Sequence, residues 1–318
     1  MQKFSLQATV SIEQAGSRLD QVAAILFPDY SRARLQQWIK DGLLLVDGVI
    51  AQNKQKLYGG ELISLSVVVE HQEQWEPEDL PIDIVYEDSS LLIINKPAGL
   101  VVHPAAGNYT GTLLNALLHH YPDLAQVPRA GIVHRLDKDT SGLMVVARDL
   151  NAHQALVAMI QAREVSREYQ AIVNGLVTAG GTVEAALGRH PVHRTKRAVV
   201  SEENGKNAIT HYRILKKFRA HSHLQVKLET GRTHQIRVHM AHIGFPLVGD
   251  LVYGGRLKLP KGASPELIAS LSGFKRQALH AWRLGLQHPV SGESMQWELE
   301  IPSDMQELLA ILADDYAQ

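Results

Sequence analysis

The stretch Gly131-Ile132-Val133-His134-Arg135-Leu136-Asp137-Lys138-Asp139-Thr140-Ser141-Gly142, running on into Leu143-Met144-Val145-Val146-Ala147, organises the whole chain. The apolar run from Leu143 to Ala147 predicts a buried strand, and Gly131 to Leu136 is expected to close another. Between them, two carboxylates, two cations and two hydroxyls are confined to a short loop held at both ends. A turn ordinarily needs fewer ionisable groups, so the segment is a first candidate site, although surface ion pairs on a hairpin loop would use the same residues.

Composition bounds the rest. A chain of 318 residues has room for one large domain and a small one. Its formal charge is -1 and its pI about 7.0, so contact with a polyanion must rest on local basic stretches rather than on net charge. The absence of cysteine excludes disulfides, thiolate catalysis and Cys-type zinc sites, and it fits a reducing compartment. No apolar run is long enough to span a bilayer, and Met1 to Val10 lacks the basic start and apolar core of a secretion signal. The expected location is the cytoplasm, with no membrane partner.

Upstream, Arg18 to Phe27 has the apolar spacing of a helix that stops at Pro28, and Ser31 is expected to cap a second helix through Ile39, ended by Gly42. Leu43 to Val46, Asp47-Gly48 and Val49-Ile50 read as a hairpin. Two helices followed by a small sheet, with Arg32, Arg34 and Lys40 on the second helix, resemble the S4-type RNA-binding module over residues 17–66. The same cations would also serve as a plain solvated face. His71 to Pro81 is polar, acidic and flanked by prolines, which reads as a linker. The expected organisation is therefore residues 1–70, a linker at 71–81, and an α+β domain at 82–318.

Further along, Leu91 to Ile94 predicts a buried strand, and Thr112 is placed to cap a helix from Leu113 to His120. Gly107 and Gly111 lack the Lys-Ser/Thr of a phosphate loop, so that loop is structural. A helix is expected from Asn151 to Arg163, then a strand from Val165 to Val173 carrying Tyr169 amid charges. His190 to Arg197 is the densest basic stretch; on a loop, its Arg194, Lys196 and Arg197 can grip phosphates. A strand ending at Leu228 leads to a helix capped by Thr233 and closed by Gly244, with Arg237 one turn in. His234, His239 and His242 lack a completing carboxylate and the His-Glu-x-x-His spacing, so no metal is expected.

Four segments together resemble the pseudouridine synthases of the RluA family: Asn-Lys-Pro-Ala-Gly (95–99), His-Arg-Leu-Asp-Lys-Asp-Thr-Ser-Gly (134–142), Arg-Glu-Tyr (167–169) and Thr-Gly-Arg-Thr-His-Gln-Ile-Arg-Val-His (230–239). The resemblance implies an α+β catalytic domain with a mainly antiparallel mixed sheet behind a small S4-like domain. It implies isomerisation of uridine, in which the N1 to C1′ bond breaks, the base turns and C5 joins C1′, with no redox step and no cofactor. By the same resemblance Asp137 is the essential carboxylate, acting as nucleophile or as stabiliser of a ribose cation, and Arg237 is the guanidinium that favours its charged form. Tyr169 stacks on the flipped base, and Arg135 fills the space it leaves. His134, Arg232, Arg194, Lys196 and Arg197 are the remaining substrate contacts, with Arg32 and Arg34 from the front module. The implied partner is 23S ribosomal RNA, or the assembling large subunit, modified at several uridines of one stem-loop by a monomer. A non-enzymatic alternative, a ribosome assembly factor with a retired catalytic domain, is opposed by the retention of Asp137, Tyr169 and Arg237.

Overall fold

A computed structural model describes residues 2–27, 30, 32–69, 75–105, 107–193, 195–257 and 259–317. The chain divides into two units, Met1–Gln74 and Trp75–Gln318.

The first unit runs β1 (Gln2–Thr9), α1 (Leu19–Leu26), α2 (Arg32–Lys40), β2 (Leu44–Val46), β3 (Val49–Ile50) and β4 (Leu62–Val69), with sheet order β1-β4-β2-β3, all antiparallel. Leu19, Val22 and Ala23 of α1 and Leu35 and Ile39 of α2 pack with Leu44, Ile63 and Leu65 of the sheet. That is the helical spacing of the sequence put to use. The β2–β3 hairpin turns at Asp47 (φ 49°) and Gly48 (φ 78°), two consecutive left-handed residues, the backbone that suits the twist of a two-residue connection. The expected cap Ser31 and the stop at Pro28 lie outside the described residues.

The second unit contains β5 (Ile84–Glu87), β6 (Leu91–Lys96), α3 (Leu113–His120), β7 (Ser141–Ala147), α4 (Leu150–Gln161), β8 (Ser166–Asn174), β9 (Gly181–Glu184), β10 (Leu187–Arg189), β11 (Arg197–Val199), β12 (Ile209–Lys217), β13 (His221–Leu228), α5 (Gln235–His242), α6 (Pro265–Gly273), β14 (Leu279–Gln287), β15 (Ser294–Glu298) and α7 (Ser303–Ala317). Its main sheet has the order β5-β6-β7-β14-β8-β13-β12-β9, with β15 added beside β14, and β10 and β11 form a separate hairpin. Among the described strands of this sheet only the β7–β14 pairing is parallel, as in the expected α+β class with a mainly antiparallel mixed sheet. Strand β7 is buried along its full length because it is covered on both faces. Met144 and Val146 pack toward α3 and α5, while Leu143, Val145 and Ala147 pack toward α4. Burial on both faces removes the need for polar alternation, which is why its sequence is a continuous apolar run.

Two expectations are corrected. No strand forms over Gly131 to Leu136; the chain makes a tight turn at 128–131 with Arg129 and Ala130 left-handed, and Ile132 makes one isolated bridge to Val146. Gly131 has φ 78°, and a Cβ there would lie 1.9 Å from the Ala147 carbonyl oxygen, so the segment crosses the end of β7 in contact with its backbone instead of pairing along it. The second half of the presumed linker is part of the second unit. Trp75 packs on its core, the Glu78 amide donates to the Asn115 carbonyl (3.0 Å), and the Glu78 carboxylate accepts the Gly111 amide (2.9 Å). The indole has apolar area to bury, and this outweighs the polar composition around it.

Candidate active site

The loop carrying Asp137 is fastened along its length. Lys96, buried at the end of β6, donates Nζ to the carbonyls of Pro97 (2.7 Å), Leu100 (2.9 Å) and Lys138 (2.9 Å). Burial pulls its ammonium down to about 7, and three carbonyl oxygens receive its three donors. The Gly99 amide also donates to the Lys138 carbonyl (2.9 Å), so the Asn95–Gly99 segment serves as a brace for the loop. Thr140 closes a turn by donating its amide to the Asp137 carbonyl (3.1 Å) and receives Gln277 Nε2 on its hydroxyl (3.0 Å). Ser141 Oγ meets His280 Nδ1 at 2.9 Å. His134 accepts the Val145 amide on Nε2 (3.0 Å), and burial lowers its imidazole to about 3, so it is the neutral acceptor that ties the loop to β7.

Arg237 comes from α5, whose Ile236 and Met240 pack in the core against β13 and β8. The helix start differs from expectation. Its N-cap is His234 in a left-handed conformation (φ 59°, ψ 22°), not Thr233. The Gln235 side chain does the capping work by accepting the Arg232 amide (2.9 Å) and the Thr230 hydroxyl (2.8 Å) while donating to the Ile209 carbonyl (2.9 Å). This lashes the helix start to β12 and fixes where Arg237 projects.

At the site Arg237 Nη1 donates to Asp137 Oδ2 at 3.0 Å. The other side of the same guanidinium grips Asp250, with Nε to Oδ2 at 2.7 Å and Nη2 to Oδ1 at 2.9 Å. Asp250 is also held by the amides of Val252 (2.9 Å) and Tyr253 (3.0 Å), and the Tyr253 ring lies 5.0 Å from the guanidinium carbon. Burial alone would lower Arg237, but the hydrogen bonds and charge of Asp250, and then those of Asp137, raise it above the ordinary arginine value. Burial likewise opposes the charge on Asp250, and Arg237 with the two amides holds that carboxyl below the usual range. Asp137 Oδ1 makes no hydrogen bond to a described residue; His234 Nε2 lies 3.9 Å from it. His234 Nδ1 meets the Tyr253 hydroxyl at 2.8 Å, and that hydroxyl accepts the Arg197 amide at 2.9 Å.

Of these, Asp137, His234 and Arg237 line a cleft of about 800 Å³. It brings together Asp137, Tyr169, Arg237, His134, Arg135 and Arg232. Tyr169 is buried in the wall, and burial raises its hydroxyl. Arg135 is exposed at the rim, as is Arg232, whose Nε donates to the Asn207 carbonyl (3.2 Å). Lys196 and Arg197 are not in the cleft wall; Lys196 reaches the Val252 carbonyl (3.1 Å), and Arg197 connects to the site through Tyr253. Arg194 and the side chain of Arg34 lie outside the described residues. Arg32 belongs to the first unit, where it pairs with Asp20 at 2.7 Å. Among the described residues no group of three or more His, Asp or Glu side chains is placed to hold a metal ion, and His239 is spent on Thr210 (2.9 Å) and the Ala185 carbonyl (3.2 Å). Sequence reasoning missed Asp250 and Tyr253. The only local signal was a Gly-Asp pair after an apolar run, which marks a turn and not an ion pair.

The cleft thus holds a carboxylate fixed through one oxygen beside a buried tyrosine, and comparison with known proteins identifies the family. The chain belongs to the RNA pseudouridylate synthase family and carries an S4 domain: residues 90–242 match the former and residues 17–63 the latter. Within that family it is 56% identical, over 318 residues covering all of this chain and 97% of the relative, to ribosomal large subunit pseudouridine synthase D of Escherichia coli (strain K12). It is 58% identical over 308 residues, 97% of this chain and 96% of the relative, to the protein of the same name from Pseudomonas aeruginosa. Among solved structures, human RNA pseudouridylate synthase domain containing 4 superposes with a TM-score of 0.57 at 25% identity, covering 73% of this chain and 93% of that one. The chain is an RNA pseudouridine synthase.

Proposed function

We propose that this enzyme isomerises uridines of 23S ribosomal RNA, several within one stem-loop, free or on the assembling large subunit. The reading rests on the full-length similarity to synthases named for the large ribosomal subunit and on one observation in the cleft: Arg237 is anchored by Asp250 and spends its remaining edge on Asp137. Arg237 therefore orients the carboxylate without filling it, and Oδ1 is the atom offered to the ribose. The target base leaves its stack and lies against Tyr169, while Arg135 at the rim takes its place in the RNA. The N1–C1′ bond breaks with its electron pair on N1, Asp137 acts at the sugar, C5 bonds to C1′, the C5 proton is lost and N1 gains one. Reactants and product are isomers, so the chemistry calls for no redox cofactor. Arg232, Lys196 and Arg197 beside the cleft, with Arg194, meet phosphates, and Arg32 and Arg34 do so from the S4 domain. The protein works as a monomer in the cytoplasm, and no helix among the described residues is long and apolar enough to cross a membrane.

The test is release of tritium from large-subunit RNA labelled at C5 of uridine, followed by mapping of the pseudouridines made. The reading expects release and a cluster of modified positions in one stem-loop. Absence of release from both free RNA and subunits would contradict it.

A further inference from the structure

Arg167 lies two residues before Tyr169 on β8, so the two side chains share the cleft face of the sheet. It is 6% exposed, and it is nearly starved of acceptors. Its Nε is buried with no hydrogen-bond partner, its Nη1 has none among the described residues, and Nη2 reaches only the Glu229 carbonyl, at 3.5 Å. Among the described residues no carboxylate lies within ion-pair distance of it. The nearby Glu229 side chain is committed elsewhere, to Arg163 (2.8 Å) and His211 (2.7 Å). The chain also keeps space open for this guanidinium: a Cβ at Gly231 would lie 2.6 Å from Nη1. A buried cation without a partner is costly, and a fold that retains one in the wall of a reaction cleft has left its partner to arrive with the substrate.

The reaction supplies such a partner. When N1–C1′ breaks, the electron pair left on N1 spreads to O2 and, through C6=C5, to C5 and O4. The detached base is thus an anion whose charge sits on two carbonyl oxygens and on the carbon that must attack next. We propose that Arg167 is a catalytic residue that donates its free N–H groups to the carbonyl oxygens of this uracil anion and holds the charge while the ring turns. C5 then bonds to C1′, its proton leaves to solvent and N1 is protonated, so the arginine gives and takes no atom. Depth separates this role from a phosphate contact. Arg135 and Arg232 are exposed at the rim, where a backbone passes, whereas Arg167 sits with Tyr169 in the wall. Its charge also acts on that tyrosine, opposing the rise that burial imposes on the hydroxyl.

The inference rests on the cleft being the uridine site, and its test separates the two. In single-turnover assays on the full chain, Arg167→Gln is expected to slow conversion of uridine about 100-fold, with half-saturation changed less than about 3-fold. On RNA carrying 5-fluorouridine at the target, where fluorine withdraws the charge unaided, the slowing shrinks to about 10-fold, read as loss of the N-linked nucleoside in nuclease digests. Arg167→Lys, which keeps the charge without the planar fork, falls between. Should Arg167→Gln fold poorly, Gly231→Ala displaces the guanidinium with its charge intact and must give the same ordering of the two substrates. Equal slowing on both substrates, or a defect confined to half-saturation, overturns the role. Normal turnover by Asp137→Asn would overturn the cleft assignment itself, whereas normal turnover by Arg167→Gln beside an inactive Asp137→Asn overturns only Arg167.

Discussion

In the second unit one guanidinium, Arg237, is buried between two carboxylates; in the first unit one carboxylate, Asp20, is buried against two guanidiniums. Asp250 is fully buried and Asp137 keeps 18% of its side chain exposed, so the cation is hidden and a negative oxygen is offered to the cleft. Asp20 is fully buried, while Arg18 and Arg32 keep 38% and 47% exposed, so the anion is hidden and two cations are offered outward. Similar hydrogen bonds serve opposite ends. The hidden member aims the others, and the sign of the exposed member differs; on the function proposed above, the carboxylate of the second unit faces a ribose with developing positive charge and the guanidiniums of the first unit a phosphate backbone.

The comparison predicts unequal damage. Arg237→Met removes the hidden cation and leaves Asp250 charged in the core. We expect a stability loss of about 3–5 kcal/mol by urea denaturation and a fall in kcat of about 100-fold or more; a variant with native turnover would break the claim that this arginine orients Asp137. Asp250→Asn is milder, since Arg237 retains Asp137 but loses its anchor. A kcat lowered about 10-fold with KM nearly unchanged is the expected signature of a misaimed carboxylate, and a change in KM alone would mean that Asp250 serves binding. Asp20→Asn frees two guanidiniums that water can already reach, so the expected cost is only about 1 kcal/mol. RNA affinity should weaken a few-fold with a shallower salt dependence; if affinity is unchanged, the outward pair makes no phosphate contact.

Acid should separate these ion pairs from the buried imidazoles. Burial lowers His134 to about 3 and His221 and His280 to about 4, against an ordinary value of 6.5. Their unfolded forms bind protons first, so their stabilising contribution is complete above about pH 6.5 and is lost as pH falls toward 4. Asp20 and Asp250 are held below 3.8, burial being outweighed by their arginine partners, so their contribution persists until the pH drops beneath that value. Thermal melts should therefore lose a few degrees between pH 7 and pH 5, and a flat Tm over that window would mean the imidazoles are not neutral in the fold.

Much of this was legible in the chain because it is local. The Leu143–Ala147 run, the Thr112 cap, the Asp47-Gly48 turn and the α1 spacing each carry their structure in a few adjacent residues. Asp137, Tyr169 and Arg237 were legible through motifs, and the fold brings all three into one cleft. What failed depended on distant partners. Asp250 is 13 residues from Arg237, and nothing near it in sequence announces the pair. Thr233 has good capping chemistry but was displaced by Gln235, whose partners lie on β12. The strand expected at Gly131–Leu136 was pre-empted by the end of β7, and the polar composition of 71–81 concealed the packing of Trp75.

The most direct measurement compares tritium release from C5-labelled ribosomal RNA by the native chain and by Asp137→Asn, with RNA binding measured on the same samples. Release abolished with binding nearly intact is the predicted result. Native-like release from the variant would contradict the account.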